Sequence, residues 1–484
     1  MKVFFFFSVL QYHLESREVV RYFHAQGARC AVHLAFSGRA LGEAREFYAK
    51  LGVPCTTADA DFCYEEAQGD DSRPPQPITV EEIFSRIGRS RYDPGRFLFE
   101  LKRIAQTAVR YRRVRGEAEQ MLDRIAPDVV FQGSFLSCGR LDNALAKLCH
   151  ERGIPCFCLP YTPVVGTRLS MEGRLSNILC GMVKPNHVYD PHSWIHRFIK
   201  AVFPDWIHPV LNVPLMPFVD YEMLAAKLAG IGEPWPWQKP SLHFDAFFVW
   251  TDLAKRWVIE EPSRFPPEKV HVFGAPRLDP VSSVLGNGEL EKKVCGKLGI
   301  TPPYVLLHIP PAFEHRVLSR EEHFGNVDML CGIAKSAGLP VAIALHPLAN
   351  IPDYLDTFRK HGVAYDPSLD ITELFPLAGV VMAHPSSTNY LANIFNKPLV
   401  VYDLRRELWT ETDWTVYAAG TKYRGLDEAG LRQALAEAVA ASAGVTRSAP
   451  PPLACARIYE FTRRHLGFAD SPTAANLRQS ATPT

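Results

Sequence analysis

The chain has 484 residues, 47% hydrophobic and 22% charged, and its 53 Lys and Arg nearly balance 52 Asp and Glu. One hydrophobic core stops growing near roughly 250–300 residues, so a single domain is excluded and two are expected. The balanced charge argues against nucleic acid as partner, and 11 cysteines with no C-x-x-C pair exclude a disulfide framework and a zinc-site spacing.

The opening MKVFFFFSVL reads as a first buried strand, residues 3–9, because Ser8 interrupts the apolar run and no small-residue cleavage site follows. Residues 15–26 have helical spacing and Gly27 ends them; 30–36 reads as a strand, 40–51 as a helix and 53–57 as a short strand. Strand–helix–strand units of this length predict a parallel sheet. Residues 65–79 read as a polar, Pro-rich loop. Residues 80–125 form a helical region rich in arginine, which reads as a solvated face or one that meets a phosphate-rich acceptor.

A clearer unit follows. Residues 128–132 read as a strand, 140–152 as a helix and 154–159 as a strand. The join carrying Gly133, Ser134 and Arg140 falls at a strand's carboxyl end, where ligands sit in open α/β sheets. Residues 166–239 hold Trp194, Trp206, Trp235 and Trp237 among many prolines. The basic, aromatic stretch 194–200 suits packing between domains better than a membrane surface. The segment GEPWPWQKP reads as a linker, which sets an N-terminal domain at 1–240.

From Phe244 the alternation resumes, with strands expected at 246–251, 270–273, 304–308, 340–345, 363–365, 380–383 and 399–402. This predicts a second doubly wound domain over 241–430, then helices and a polar tail over 431–484. No run of about 20 apolar residues is present to span a membrane. Reduced, buried thiols suit a cytoplasmic location, at the inner face of the membrane where the acceptor is lipid-linked.

Three strand-end turns carry the chemistry. In His346-Pro347 the imidazole follows an apolar strand and is suited to donating to a phosphate oxygen. In His384-Pro385-Ser386-Ser387-Thr388-Asn389 the hydroxyls precede a helix, where they cap free N–H groups or share them with an anion. In Gly274-Ala275-Pro276-Arg277-Leu278-Asp279 a guanidinium fork is available, with Asp279 to steady it. A weaker fourth stretch runs from Pro310 to Arg316. In the first domain His13 and Glu15, just past the first strand, are the candidate general bases.

The order of these turns, followed by Asn396-Lys397-Pro398 and a strand, resembles GT-B enzymes of bacterial surface polysaccharide synthesis, such as capsule transferases. It is most similar to the CDP-glycerol glycerophosphotransferases, with UDP-N-acetylglucosamine 2-epimerases as look-alikes. The resemblance covers residues 246–403. It implies two Rossmann-like doubly wound domains facing each other across a cleft. It implies no permanently bound cofactor, a CMP-, CDP- or UDP-linked donor as substrate, a glycan or lipid-linked acceptor, and peripheral membrane association. Phosphate contacts would fall on Arg277, Arg316, His346, His384, Ser386, Ser387 and Thr388. The sequence departs from the pattern where His384-Pro385 replaces an acidic residue and Tyr, and where Asn389, Tyr390 and Asn393 replace a ribose-gripping Glu. Metal-independent transfer is the leading reading; a 2-epimerase-like enzyme and a non-catalytic scaffold stay open.

Overall fold

The computed structural model describes residues 1–59, 78–88, 94–133, 141–160, 167–179, 187–218, 220–233, 235–260, 262–314, 318–346, 349–384, 386–402, 427–442 and 453–468. The chain divides into two compact units: the described parts of Met1–Gln68, Pro77–Arg277 and Leu453–Thr484, and the described parts of Leu278–Pro452.

The first unit opens with β1 (Lys2–Phe7), α1 (Leu10–Ala25), β2 (Arg29–Leu34), α2 (Arg39–Leu51) and β3 (Cys55–Thr57). Two helices follow, α3 (Val80–Gly88) and the long α4 (Pro94–Ile125), then β4 (Val129–Gln132), α5 (Leu141–Arg152) and β5 (Cys156–Cys158). An insertion contains α6 (Thr167–Leu179), α7 (Trp194–Val202), the hairpin β6 (His208–Val210) and β7 (Val213–Leu215), and α8 (Asp220–Leu228). The unit resumes with β8 (Ala246–Val249), α9 (Asp252–Ile259) and β9 (Val270–Val272).

Among the described residues its sheet has seven strands in the order β3-β2-β1-β4-β5-β8-β9, all parallel. The unbroken apolar run of β1 forces it to the centre, since Val3 to Phe7 must be buried on both faces. Each fully buried Phe contributes about 2–3 kcal/mol through burial of its surface. One face packs Phe5, Phe131, Phe157 and Phe248 beneath Val19, Val20 and Phe23 of α1. The other packs Phe4, Phe6 and Phe247 against Met121, Leu122 and Leu145.

The boundary expected at residue 240 is corrected here. β8 pairs with β5 in register Phe157↔Ala246, and β9 extends the same sheet, so both strands belong to the first unit. The supposed linker is packed protein. Trp235 and Trp237 are buried in the insertion's core with Ile195, Ile199 and Trp206, and their indole N–H groups donate to Asp205 O and Trp206 O.

The second unit contains α10 (Asp279–Val284), α11 (Glu289–Leu298), β10 (Tyr304–Ile309), α12 (Arg320–Lys335), β11 (Val341–Leu345), α13 (Leu355–His361), α14 (Ile371–Leu374), β12 (Ala378–Ala383), α15 (Tyr390–Ile394), β13 (Leu399–Val401) and α16 (Glu428–Ser442). Its described strands run parallel in the order β11-β10-β12-β13. The strand expected at 363–365 is reduced to a single bridge, Ala342↔Ala364. A reciprocal cap starts α12: Ser319 accepts from the Glu322 backbone, and the Glu322 side chain accepts in return.

The helices expected together at the C-terminus part company. Leu431, Leu435 and Ala438 of α16 join the second unit's core. The last helix, α17 (Ala454–His465), belongs to the first unit. Its Phe461 packs on Phe157 and Phe248, and its Arg457 donates to Val272 O at 3.0 Å.

Candidate functional site

In the second unit the chain enters the sheet on β10, goes outward to β11, then crosses to β12 on the other side. The crevice beyond the carboxyl ends of β10 and its neighbours is therefore a topological switch point, where open α/β sheets bind ligands. Three imidazoles belong to this edge. His308 is in register with Ala344 and Ala383 near the end of β10. His346 directly follows β11, and its N–H donates to Ile309 O at 3.3 Å. His384 directly follows β12 and is buried.

Burial is the main force on His308. Together with the nearby His346 charge it lowers the imidazole from 6.5 to about 3, so His308 is neutral. Its carbonyl accepts from the Tyr402 hydroxyl at the end of β13, and the His384 ring lies 6.3 Å from the Tyr402 ring. Asn389 closes the turn after β12 by donating from Nδ2 to His384 O at 3.0 Å, while its buried Oδ1 has no partner among the described residues.

The turn after β12 is capped from within. Ser386 accepts from the Thr388 backbone at 3.3 Å, and the two hydroxyls lie 3.0 Å apart. Residues 387–389 form a single 3-10 turn that leads into the short α15. Ser386 and Thr388 are half-buried. The backbone of Ser387 lies in this turn, but its side chain, like Arg316, falls outside the described residues. Imidazole N–H groups and turn hydroxyls at a switch point can donate to and orient a phosphate ester, and the Asn389 Oδ1 can accept from a donor on the ligand.

The loops after β10 and β11 are tied together. Asn350 N and the Tyr354 hydroxyl both donate to Glu314 Oε1, at 3.1 and 2.9 Å, and His323 Nε2 lies 2.8 Å from the same hydroxyl. Ala349 N donates to His346 O at 2.9 Å, which links this network to the His346 turn.

In the first unit Arg277 Nη1 donates to Glu15 Oε1 at 2.8 Å. The pair sits by a small recess at the sheet's carboxyl edge, lined by Leu159, Trp250, Gly274 and Ile458. Arg277 thus belongs to the first unit, not to the second with His346 as its sequence position suggested. His13 is also placed differently from the expected general base. It is 3% exposed, its Nδ1 lies 2.9 Å from the Tyr48 hydroxyl, and Phe7, Phe36 and Phe47 surround its ring. Burial first and Arg17 second lower it to about 4, the condition of a core histidine.

Gly133 follows β4, and a Cβ there would lie 2.1 Å from the Tyr12 ring, so a glycine is required for close packing. Ser134 and Arg140 lie outside the described residues. At the same switch point, Asp142 in the first turn of α5 is fully buried and accepts from Ser8 Oγ at 3.2 Å. Asp142 and His308 were not singled out from sequence. The available signal was a polar residue inside an otherwise apolar strand or helix start. Among the described residues, no group of three or more His, Cys, Asp or Glu is placed to hold a metal ion.

No family model and no curated protein matches the chain. Solved structures do match. The Neisseria meningitidis UDP-GlcNAc 2-epimerase bound to UDP-GlcNAc aligns over 96% of this chain and 100% of its own, at 13% identity and a TM-score of 0.46. The calicheamicin glycosyltransferase CalG4 aligns over 97% and 99%, at 13% identity and 0.49. Acinetobacter baumannii MurG aligns over 96% and 99%, at 11% identity and 0.41. Glycosyltransferases and UDP-GlcNAc 2-epimerases, the two groups named from the strand-end turns, are both present among these structural neighbours.

Proposed function

We propose that the second unit binds the phosphate of a nucleotide-activated donor and that the chain is a GT-B-type transferase. It would move a sugar or polyol phosphate onto a surface glycan or glycoconjugate. The observation that carries this reading is the convergence of His308, His346, His384 and the Ser386–Thr388 turn on one switch point. Imidazole N–H groups and turn hydroxyls offset charge on a departing nucleotide without requiring a metal. On the first unit, the Ser8–Asp142 pair at the β1/β4 switch point is the proposed acceptor-side carboxylate, in place of His13.

Calorimetric titration with CMP, CDP, UDP and GDP tests the donor site. One of these nucleotides should bind, and His346→Ala and Ser386→Ala should each weaken it by about tenfold, the scale of a charge-assisted hydrogen bond. Absence of binding by all four at millimolar concentration overturns the reading. Turnover of UDP-N-acetylglucosamine without any acceptor replaces transfer by epimerisation.

A further inference from the structure

Exposed large apolar side chains are concentrated in one region. Among the described residues, nine of the eleven lie between Phe84 and Leu228 in the first unit's helices and hairpin, and none lies on the second unit. The densest stretch is the first half of α4, where Leu98 is 68% exposed and Phe99 58%, with Leu101 and Val109 also open. Leu98, Lys102, Ala105 and Val109 follow i, i+4, i+7, i+11 spacing and share one exposed face about 16 Å long. The opposite face of α4 is already occupied, with Ile104, Ala108 and Tyr111 buried. The open apolar stripe is thus additional to the face that the fold needs.

The second helix of this region behaves alike. Ile195 and Ile199 of α7 are buried, while Phe198 and Val202 stand exposed one turn apart. The helices meet at their first turns, where the Phe97 and Trp194 rings lie 4.5 Å apart. Phe198 is one turn from Trp194, and Leu98 and Leu101 lie beside and one turn from Phe97.

Charge decides the partner. Between Leu98 and Arg113 the exposed charges of α4 are Lys102, Arg103, Arg110, Arg112 and Arg113, and the one acid, Glu100, is buried. On α7 Arg197 and Lys200 are exposed and no acid is present. The nearest described acids are Glu117 and Glu119, half-buried in the second half of α4 where Arg115 pairs with Glu119, and Asp190, half-buried before α7, with the exposed Asp205 after it. Apolar side chains flanked by long cations suit the interface of a bilayer, where the apolar groups enter the acyl boundary and the cations reach anionic headgroups.

We propose that the exposed faces of α4 and α7 dock on an anionic lipid surface. The full-length chain should co-sediment with vesicles of equal parts phosphatidylglycerol and phosphatidylcholine, not with phosphatidylcholine alone, and should be released by raising salt. Two double variants probe the two components: Leu98→Ser with Phe198→Ser, and Arg110→Glu with Arg113→Glu. All four positions are exposed, so unfolding midpoints should match the parent, and each pair should weaken vesicle binding by about tenfold. Failure of the parent chain to bind, or binding unchanged by the apolar pair, overturns the proposal. A dimer in solution that the apolar pair dissolves also overturns it, with a second copy as the occupant.

Discussion

Arg277 Nη1 and Glu15 Oε1 form a 2.8 Å ion pair between residues 262 positions apart, joining the last residue of the first unit's second segment to its first helix. The side chains are 23% and 11% exposed, so the pair is partly desolvated. Arg277→Ala should therefore cost about 2 kcal/mol, below the full penalty of a wholly buried carboxylate left alone. A double-mutant cycle with Glu15→Gln, read by urea unfolding, should return a coupling energy of about 1 kcal/mol or more. Additive effects would mean that the pair is no stronger than a surface contact. If Arg277 instead serves a nucleotide, Arg277→Ala will lower nucleotide affinity at least as much as it lowers stability.

Acid should destabilise the first unit well above the usual carboxylate range. Burial lowers His13, His33 and His243 to about 4 each, from 6.5. Above pH 6.5 they are neutral in both states and contribute no pH dependence. As pH falls below 6.5 the unfolded chain binds protons that the folded chain does not, so stability drops until the folded groups also protonate near pH 4. Each contributes roughly 1 kcal/mol per pH unit in that window. Tryptophan fluorescence reports mainly this unit, which holds six of the eight tryptophans, Trp194, Trp206, Trp235, Trp237, Trp250 and Trp257. His33→Phe should flatten the slope of unfolding free energy against pH, and an unchanged slope would refute the assignment.

What was legible in the sequence follows from the range of the interactions. The strand of Val3 to Phe7 declares itself because an apolar run bounded by polar residues has few other places to go. The membership of β8 was not legible. AFFV is as apolar as any central strand, and only its pairing with Phe157, some ninety residues earlier, assigns it to the first sheet. Trp235 and Trp237 misled for the opposite reason, since prolines beside them mimic a linker while their indoles fill a core. At the candidate site the strand-end turns at His346 and His384 were readable from their position after apolar strands. His308 was not, because nothing local distinguishes a buried histidine near the carboxyl end of a strand from one packed in the middle of a core.

Gly133→Ala tests whether the glycine after β4 is required by packing. The added methyl would sit 2.1 Å from Tyr12 Cδ1, and Tyr12 is itself buried, so neither side yields easily. Overpacking of this kind costs about 3 kcal/mol. Combining it with Tyr12→Ala removes the collision, and the double variant should be more stable than the sum of the single effects predicts. Simple additivity would place the requirement for glycine elsewhere.

Tyr354→Phe separates positioning from packing in the second unit. A carboxylate only accepts, so the Tyr354 hydroxyl donates to Glu314 Oε1 and takes its own hydrogen bond from His323 Nε2. Burial lowers the His323 pKa, against the opposing pull of Glu314, which favours the neutral ring with its proton on Nε2. The result is a donor chain from a fully buried histidine, through a fully buried tyrosine, to a carboxylate that also receives Asn350 N. Removing one oxygen keeps the ring packing against Phe324 and Phe358 but cuts this chain. The loss should be about 1–2 kcal/mol, because His323 and Glu314 each lose a partner that water cannot readily replace. Asn350 adjoins Ala349, whose N–H holds His346 O, so the same change should also weaken nucleotide binding several-fold by loosening the His346 turn. Lower stability with unchanged affinity would confine the chain to a structural role, and unchanged stability would mean that the hydroxyl is replaced by solvent.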